Sequence, residues 1–199
     1  IREGKFFEMV PRELMDQDPL ISACEYYGFQ AGRFSVSRDE VFSWVKVIFK
    51  DIDSREIRLI KAACLLSDIG WPEHPDYRAM HSFTRVLRLP IAGITHRERV
   101  LLALSIYHRY GGDEYGPEIT ITTKLIDQKD RDLALLLGLV LKLAHKLSGG
   151  VTGLLIQTKL VKTKNGYLVD FSNKEHLFNK TYVANLITKI NKHIRSIKF

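Results

Sequence analysis

One segment of the chain, residues 127–150, restricts the folds that this sequence can adopt. It opens at Asp127, closes at Gly149-Gly150, and is apolar around nearly its whole circumference if it is helical. The apolar residues lie on two sides of that helix: Leu133, Leu136, Leu137, Val140 and Ala144 on one, and Leu135, Leu139 and Leu143 on the other. A helix without a polar face must be buried. We therefore expect a helical bundle, and we favour a central position for this helix over a position in a subunit interface.

Further helices are predicted ahead of this segment from helical periodicity and capping residues. They are a helix opened by Asp18-Pro19 and running to about Gly28, one behind a Ser37–Glu40 capping box, one capped by Ser54 and ended by Gly70 and Pro72, one over residues 78–88, and one capped by Thr95 with Glu98 and ended by Gly111-Gly112. The sequence therefore predicts a mainly α-helical body.

The pattern changes after Gly153. Leu154–Val161 is predicted to be a strand and Tyr167–Phe171 its return, because Asn165-Gly166 between them is a strong hairpin signal. A terminal helix is predicted from about Lys180. We therefore expect a helical domain over residues 1–153 and a small basic ββα extension over residues 154–199.

Composition excludes several classes of protein. Of the 199 residues, 45% are apolar and 27% charged, which is typical of a globular chain and not of a disordered or fibrous one. The longest apolar run, residues 133–141, is too short for a membrane span. The two cysteines, Cys24 and Cys64, lie in apolar stretches, which excludes a disulfide scaffold and suits a reducing compartment. We therefore expect a cytoplasmic protein.

The net charge of +7 belongs entirely to the extension. Residues 154–199 hold nine Lys and Arg against two acidic residues, whereas the charges of residues 1–153 balance. A second basic cluster lies within the balanced part, because residues 78–109 hold six arginines and one acid, Glu98. Such asymmetry is typical of a protein with a polyanionic partner, and a solvated basic surface is the alternative.

The pair Ser67-Asp68 ends the helix that Ser54 is predicted to cap. In metal-dependent HD phosphohydrolases, a helix in such an apolar context ends in a His-Asp pair that binds one metal. A serine hydroxyl is a poor transition-metal ligand compared with imidazole. We therefore interpret Ser67 and Asp68 as hydrogen-bonding groups at the end of the helix, and we predict no metal site.

Four short motifs resemble, in order and spacing, the C-terminal helical domain of the exopolyphosphatase/guanosine pentaphosphate phosphatase family. They are LSDIGW at 66–71, HPDYR at 74–78, HS at 81–82 and YHR at 107–109. The segment IREG at 1–4 is similar to the point where that family's actin-like catalytic module leads into the helical domain. The resemblance extends over about residues 1–150 and implies an HD-like bundle, with Ser35 and Ser67 where an HD metal site would have histidines.

The resemblance implies a parent enzyme that releases terminal phosphate from inorganic polyphosphate, or that acts on guanosine pentaphosphate. Its glutamate base, its magnesium ion and its phosphate loops would lie in the actin-like module, which we expect upstream of this chain. We find no glycine-rich phosphate loop of the usual kinds in this sequence. We therefore expect an inactive substrate-binding and dimerisation domain of a homodimeric exopolyphosphatase.

Eight basic residues are the candidates for polyphosphate binding, since guanidinium and ammonium groups bind phosphate oxygens. They are Arg78, His81, Arg85, Arg88, His108, Arg109, Lys189 and Lys192. The first four share one helix face. The next two end a neighbouring helix, where the helix dipole favours positive charge. The two lysines lie on the polar side of the terminal helix.

Two other classes of function stay open from the residues alone. A stand-alone HD-type metal phosphohydrolase would need ligands that Ser35 and Ser67 do not supply. A nucleic-acid-binding module would use the basic extension, but the aromatic residues of that extension form no recognisable stacking motif, and we expect no nucleic acid. Metal analysis tests the first alternative, and competition between polyphosphate and single-stranded RNA tests the second.

Overall fold

A computed structural model describes residues 17–31, 38–50, 52–113, 115–171 and 179–197. Eight α-helices lie within these ranges: α1 Pro19–Ala31, α2 Arg38–Val45, α3 Ser54–Leu66, α4 Arg78–Arg88, α5 His96–Arg109, α6 Pro117–Thr122, α7 Gln128–Ser148 and α8 Lys180–Ser196. One antiparallel hairpin is formed by β1 (Lys159–Thr163) and β2 (Gly166–Asp170). The predicted fold, a mainly helical bundle with a small ββα end, is confirmed.

Helix α7 lies at the centre of the bundle, as its apolar circumference predicts. It packs against α5, α8 and α2. Leu136, Leu137, Val140 and Leu141 are fully buried. The Asp127 side chain caps the helix by accepting from Asp130 N. The helix ends at Gly149, whose φ of 58° is the left-handed conformation that glycine adopts without strain.

The α5–α7 contact depends on Gly138. A Cβ at this position would lie 2.4 Å from the Cβ of His108 and 2.8 Å from the carbonyl oxygen of Ser105. The two helix backbones therefore approach more closely than any side chain would allow. This contact fixes the end of α5 against α7, and with it the position of Arg109.

The predicted capping residues are partly confirmed. Thr95 and Glu98 form the expected capping box, in which Glu98 Oε2 accepts from Thr95 N at 2.7 Å and Thr95 Oγ1 accepts from Glu98 N at 3.2 Å. The prediction for α3 is wrong by one residue, because Asp53 and not Ser54 is its N-cap. The Asp53 carboxylate accepts from both Arg55 N and Glu56 N.

The capping box predicted from Ser37 and Glu40 involves a residue outside the described ranges, since Ser37 lies in the gap before α2. Glu40 itself has a long-range role. Its carboxylate accepts from Gly153 N at 2.9 Å and from Ile156 N at 3.1 Å. These bonds tie α2 to the segment that follows α7.

The hairpin is shorter than the sequence predicts. Residues 155–157 form a 3₁₀ turn and not the first part of a strand, and β1 begins only at Lys159. The turn consists of Lys164-Asn165, and Gly166 already pairs with Thr163. Glu40 holds residues 153–156 in the turn, and this contact is not visible in the local sequence pattern.

Helix α8 joins the extension to the body. It packs on α7 and on β2, and its buried residues Leu186 and Ile190 belong to the same hydrophobic core as α7. Asn191 of α8 fixes the position of β2 along the helix. Its side-chain amide donates to Tyr167 O, and its side-chain oxygen accepts from Tyr167 N. The predicted division at residue 153 stays a prediction. Among the described helices, none is long and apolar enough to cross a membrane.

Candidate functional site

The Ser67-Asp68 pair lies buried just after α3, where the ends of three helices meet. Arg109 ends α5, and its Nη2 donates to Asp68 Oδ1 at 3.1 Å. His145 lies in the last turn of α7, with its Nδ1 3.7 Å from the same carboxylate oxygen. The side chains of all three are at least nine-tenths buried. The carboxylate at this position therefore binds a guanidinium group.

Ser67 completes this buried cluster. Its Oγ donates to Cys64 O at 2.6 Å and lies 2.7 Å from His145 Nε2. Ser67, His145 and Asp68 are the residue types of a hydrolase triad, but the Ser67 hydroxyl proton is used by the Cys64 carbonyl and is not directed at the imidazole. Ser67 is also only 2% exposed, so the cluster is structural.

A cleft of about 510 Å³ opens above this cluster, and we name it the central cleft. Its lining includes four cations, Arg78, Arg109, Lys142 and Lys146, and three aromatic rings, Trp71, Tyr110 and Tyr182. The volume falls within the range of small-ligand pockets. Helices α4, α5, α7 and α8 and the loop after α3 all contribute to it.

Aromatic rings hold the arginines of the central cleft in place. The guanidinium carbon of Arg78 lies 5.0 Å from the centre of the Trp71 ring and 5.8 Å from that of Tyr110, and Arg109 lies 4.1 Å from Tyr110. Arg78 also donates to the carbonyl oxygens of Trp71 and Glu73. These bonds orient the guanidinium without neutralising its charge.

The lysines of the central cleft carry uncompensated charge. Within the described ranges, no Asp or Glu forms an ion pair with Arg78, Lys142 or Lys146. Burial lowers the pKa of Lys142, and the nearby charges of Lys189, Lys146 and Arg109 lower it further, against a smaller opposing effect of Asp113. Positive groups therefore repel one another here, and an anion would relieve that repulsion.

Two tyrosines complete the wall of the cleft. Tyr110 Oη accepts from Gly70 N at 3.0 Å, and burial raises its pKa to about 12. Tyr182 lies under Lys146, whose Nζ is 5.1 Å from the centre of the ring. Lys146 is exposed, so its ammonium group is accessible from solvent while its stem is supported.

The eight predicted binding residues are divided among three places. Arg78 and Arg109 line the central cleft. His81, Arg85 and Arg88 lie on the exposed face of α4, in a separate shallow groove with Glu73. His81 Nδ1 is 3.0 Å from Glu73 Oε2. This group of residues therefore includes an acid, whereas the described lining of the central cleft includes none.

His108, Lys189 and Lys192 line a third cavity of about 350 Å³, between α5, α7 and α8, which we name the tail groove. Both ring nitrogens of His108 are occupied, Nδ1 by Gly112 O at 2.7 Å and Nε2 by Tyr115 Oη at 3.1 Å. Burial lowers its pKa. Lys142 lines the tail groove as well as the central cleft. Whether the eight residues bind phosphate stays a prediction.

Sequence reasoning missed Lys142, His145, Lys146 and Tyr182. The first three lie at the C-terminal end of α7, which we interpreted only as a buried apolar helix. Three basic residues within five positions of such a helix were a usable signal, because an otherwise apolar helix must place them where they can be solvated or paired. Tyr182 lies on a helix distant in sequence and gave no local signal.

The described residues contain no group of three or more His, Cys, Asp or Glu side chains that could hold a metal ion. Asp68, His81 and His108, an acid and two of the histidines of the family-like motifs, have different partners. Asp68 pairs with Arg109, His81 with Glu73, and His108 with a backbone carbonyl. The three side chains therefore do not form one site.

The fold and the site define a mainly helical domain with a cation-lined cleft. The family model for the C-terminal region of exopolyphosphatases matches residues 38–181, and the chain belongs to this family. It is similar to Retrograde regulation protein 2 of Saccharomyces cerevisiae (strain ATCC 204508 / S288c), with 27% identity over 119 residues. That match includes 57% of this chain and 19% of the relative, so the chain spans about a fifth of the relative's length.

Proposed function

We propose that this domain binds the phosphate chain of inorganic polyphosphate in the central cleft, as the substrate-holding part of an exopolyphosphatase. The observation that carries the proposal is the group formed by Arg78, Lys142 and Lys146, which converge on one cavity without a carboxylate partner in the described ranges. Polyphosphate presents about one negative charge per phosphate and no apolar surface. Clustered cations on rigid supports are the complement of such a chain.

The arrangement of the cleft favours a phosphate chain over a single small anion. Arg78 lies beside Trp71, and Lys146 lies over Tyr182. Lys142 lies on α7, four residues before Lys146 and therefore on the same helix face. A phosphate chain in the cleft can meet all three cations, whereas a single small anion cannot use them all.

Charge-removing variants test the proposal in the 199-residue chain. Lys142→Met with Lys146→Met keeps two apolar stems and removes two charges from the cleft. We expect polyphosphate affinity to fall at least about tenfold, and the slope of log affinity against log salt to fall by about one to two units, if the chain behaves as nucleic acids do. Isothermal titration calorimetry at several salt concentrations measures both quantities.

A matched control is available on the hairpin. Lys159→Met with Lys162→Met removes two exposed lysines of β1, neither of which is among the described residues that line the cleft. This variant has the same net charge as the cleft variant. If both variants lose affinity equally, polyphosphate responds to overall charge and the assignment to the central cleft is wrong.

Trp71 gives a second, local readout. It is 43% exposed at the cleft, whereas the other tryptophan, Trp44, is buried. Polyphosphate binding in the cleft should change the tryptophan emission, and Trp71→Phe should abolish that change. A signal that survives Trp71→Phe would place the ligand elsewhere.

The activity of the whole enzyme belongs to the same proposal. A parent exopolyphosphatase would hydrolyse the terminal phosphoanhydride bond with magnesium in a separate catalytic module, and this chain would hold the substrate. We expect the 199-residue chain alone to release no phosphate from polyphosphate in the presence of magnesium. We also expect a homodimer, which light scattering on the whole protein tests. Single-stranded RNA as a competitor tests whether the cleft prefers polyphosphate.

A further inference from the structure

The tail groove combines cations with a small apolar floor. Lys142, Lys189 and Lys192 lie around it, and Leu135 and Leu139 from α7 form the floor. Lys189 and Lys192 are exposed, and no ion pair neutralises either of them within the described ranges. Among the described residues, the lining includes one acid, Asp113. The groove therefore has a net positive lining and a volume of about 350 Å³.

Lys142 is the connection between the tail groove and the central cleft. It lines both cavities. It lies over Gly111, where a Cβ would be 2.9 Å from the lysine Nζ. Gly111 has a φ of 93°, which also excludes most other residues. A glycine therefore leaves the space in which this half-buried ammonium group rests.

We propose that the tail groove binds a compact phosphate group and that its occupancy weakens polyphosphate binding in the central cleft. The second part rests on the function proposed above, and the first does not. One ammonium group cannot give its full attraction to two anions, and the two anions repel each other across it. Coupling between two sites is reciprocal, so polyphosphate in the cleft would equally weaken phosphate binding in the groove.

The phosphate group has two chemical sources, free inorganic phosphate and a phosphate ester such as a nucleotide. A free phosphate would use the three lysines alone. A nucleotide would in addition cover Leu135 and Leu139 with its base. Inorganic phosphate and adenosine monophosphate are therefore the two probes.

Calorimetric titration of the 199-residue chain with each probe, at constant ionic strength, tests the groove. We expect Lys189→Ala with Lys192→Ala to weaken binding of the probe at least about tenfold, since it removes two charge-assisted contacts. The control Lys159→Ala with Lys162→Ala should bind as the wild type does. If adenosine monophosphate binds more tightly than inorganic phosphate, the groove is a site for phosphate esters. If the two probes bind equally, the groove is a site for free phosphate. If neither probe binds, or if the control variant loses as much affinity, the proposal that the tail groove binds phosphate is wrong.

Titration of polyphosphate with and without the probe tests the coupling. We expect the probe to weaken polyphosphate binding about fivefold or more in the wild type, and to have no effect in Lys189→Ala with Lys192→Ala. If that variant is weakened as strongly as the wild type, the probe competes directly in the cleft and the coupling is wrong. If polyphosphate does not bind the wild type at all, the proposed function is wrong. The direct titration with phosphate and adenosine monophosphate still shows whether the tail groove binds a phosphate group.

Discussion

The buried ion pair between Asp68 and Arg109 allows a quantitative test of the site. Its donor and acceptor are 3.1 Å apart, and the two side chains are 6% and 10% exposed. At an effective dielectric constant of about 20, Coulomb's law gives an attraction of about 5 kcal/mol at this distance. Desolvation of both charges offsets much of that attraction, so the pair as a whole adds little net stability.

Removing one partner has a much larger effect than removing both. Asp68→Asn removes the negative charge opposite the buried Arg109 guanidinium, and breaking a buried ion pair in this way costs about 3–5 kcal/mol. We expect the lower end, about 3 kcal/mol, because Arg109 keeps its contact with Tyr110. Arg109→Met should cost a similar amount, because it removes the guanidinium group from a buried carboxylate. The double variant should lose far less than the sum of the two.

Urea denaturation of the wild type and the three variants measures the four unfolding free energies. A coupling energy of about 2 kcal/mol or more between the two substitutions supports the reasoning. Additive losses would refute it, since they would mean that each residue stabilises the fold through other partners. Elemental analysis of the same preparations shows whether a metal accompanies the pair in any of them.

Local signals in the sequence predicted most of the helical fold. Helix α4 begins at Arg78 and ends at Arg88, as predicted, and the Thr95–Glu98 capping box opens α5. Such signals depend on neighbours within one turn, and they therefore survive without tertiary information. The N-cap of α3 was assigned to Ser54 because two good capping residues are adjacent there. Only the backbone conformation selects Asp53.

Long-range contacts explain what the sequence could not predict. The strand predicted from residue 154 is a 3₁₀ turn because Glu40, more than a hundred residues away, binds its backbone. The central cleft likewise depends on Arg78, Lys146 and Tyr182 meeting from three different helices. Arg78 was predicted as a binding residue because it belongs to the arginine-rich stretch. Lys146 and Tyr182 were not, because they meet only through the packing of α8 on α7, which no local pattern in the sequence indicates.

Two further predictions concern stability. Gly138→Ala should lower the free energy of unfolding by about 1–3 kcal/mol, because overpacking against the His108 Cβ outweighs the gain in helix propensity of about 1 kcal/mol. At Gly116 no atom lies within 4 Å of a new Cβ, but Gly116 is the N-cap of α6 and alanine is a poorer cap than glycine, so Gly116→Ala should cost about 0.5 kcal/mol. Equal effects of the two substitutions would contradict the helix contact. The hydrogen bond from Arg58 lowers the pKa of Asp18 below its usual value of 3.8 in the folded chain. Unfolding raises that pKa again, so the unfolded chain binds more protons in this range, and the stabilisation present above pH 3.8 is lost as the pH falls through the folded value. Asp18→Asn should therefore flatten the fall in stability below about pH 4 when urea midpoints are compared between pH 3 and 6, and an unchanged acid slope would show that the Arg58 contact does not differ between the folded and unfolded chains.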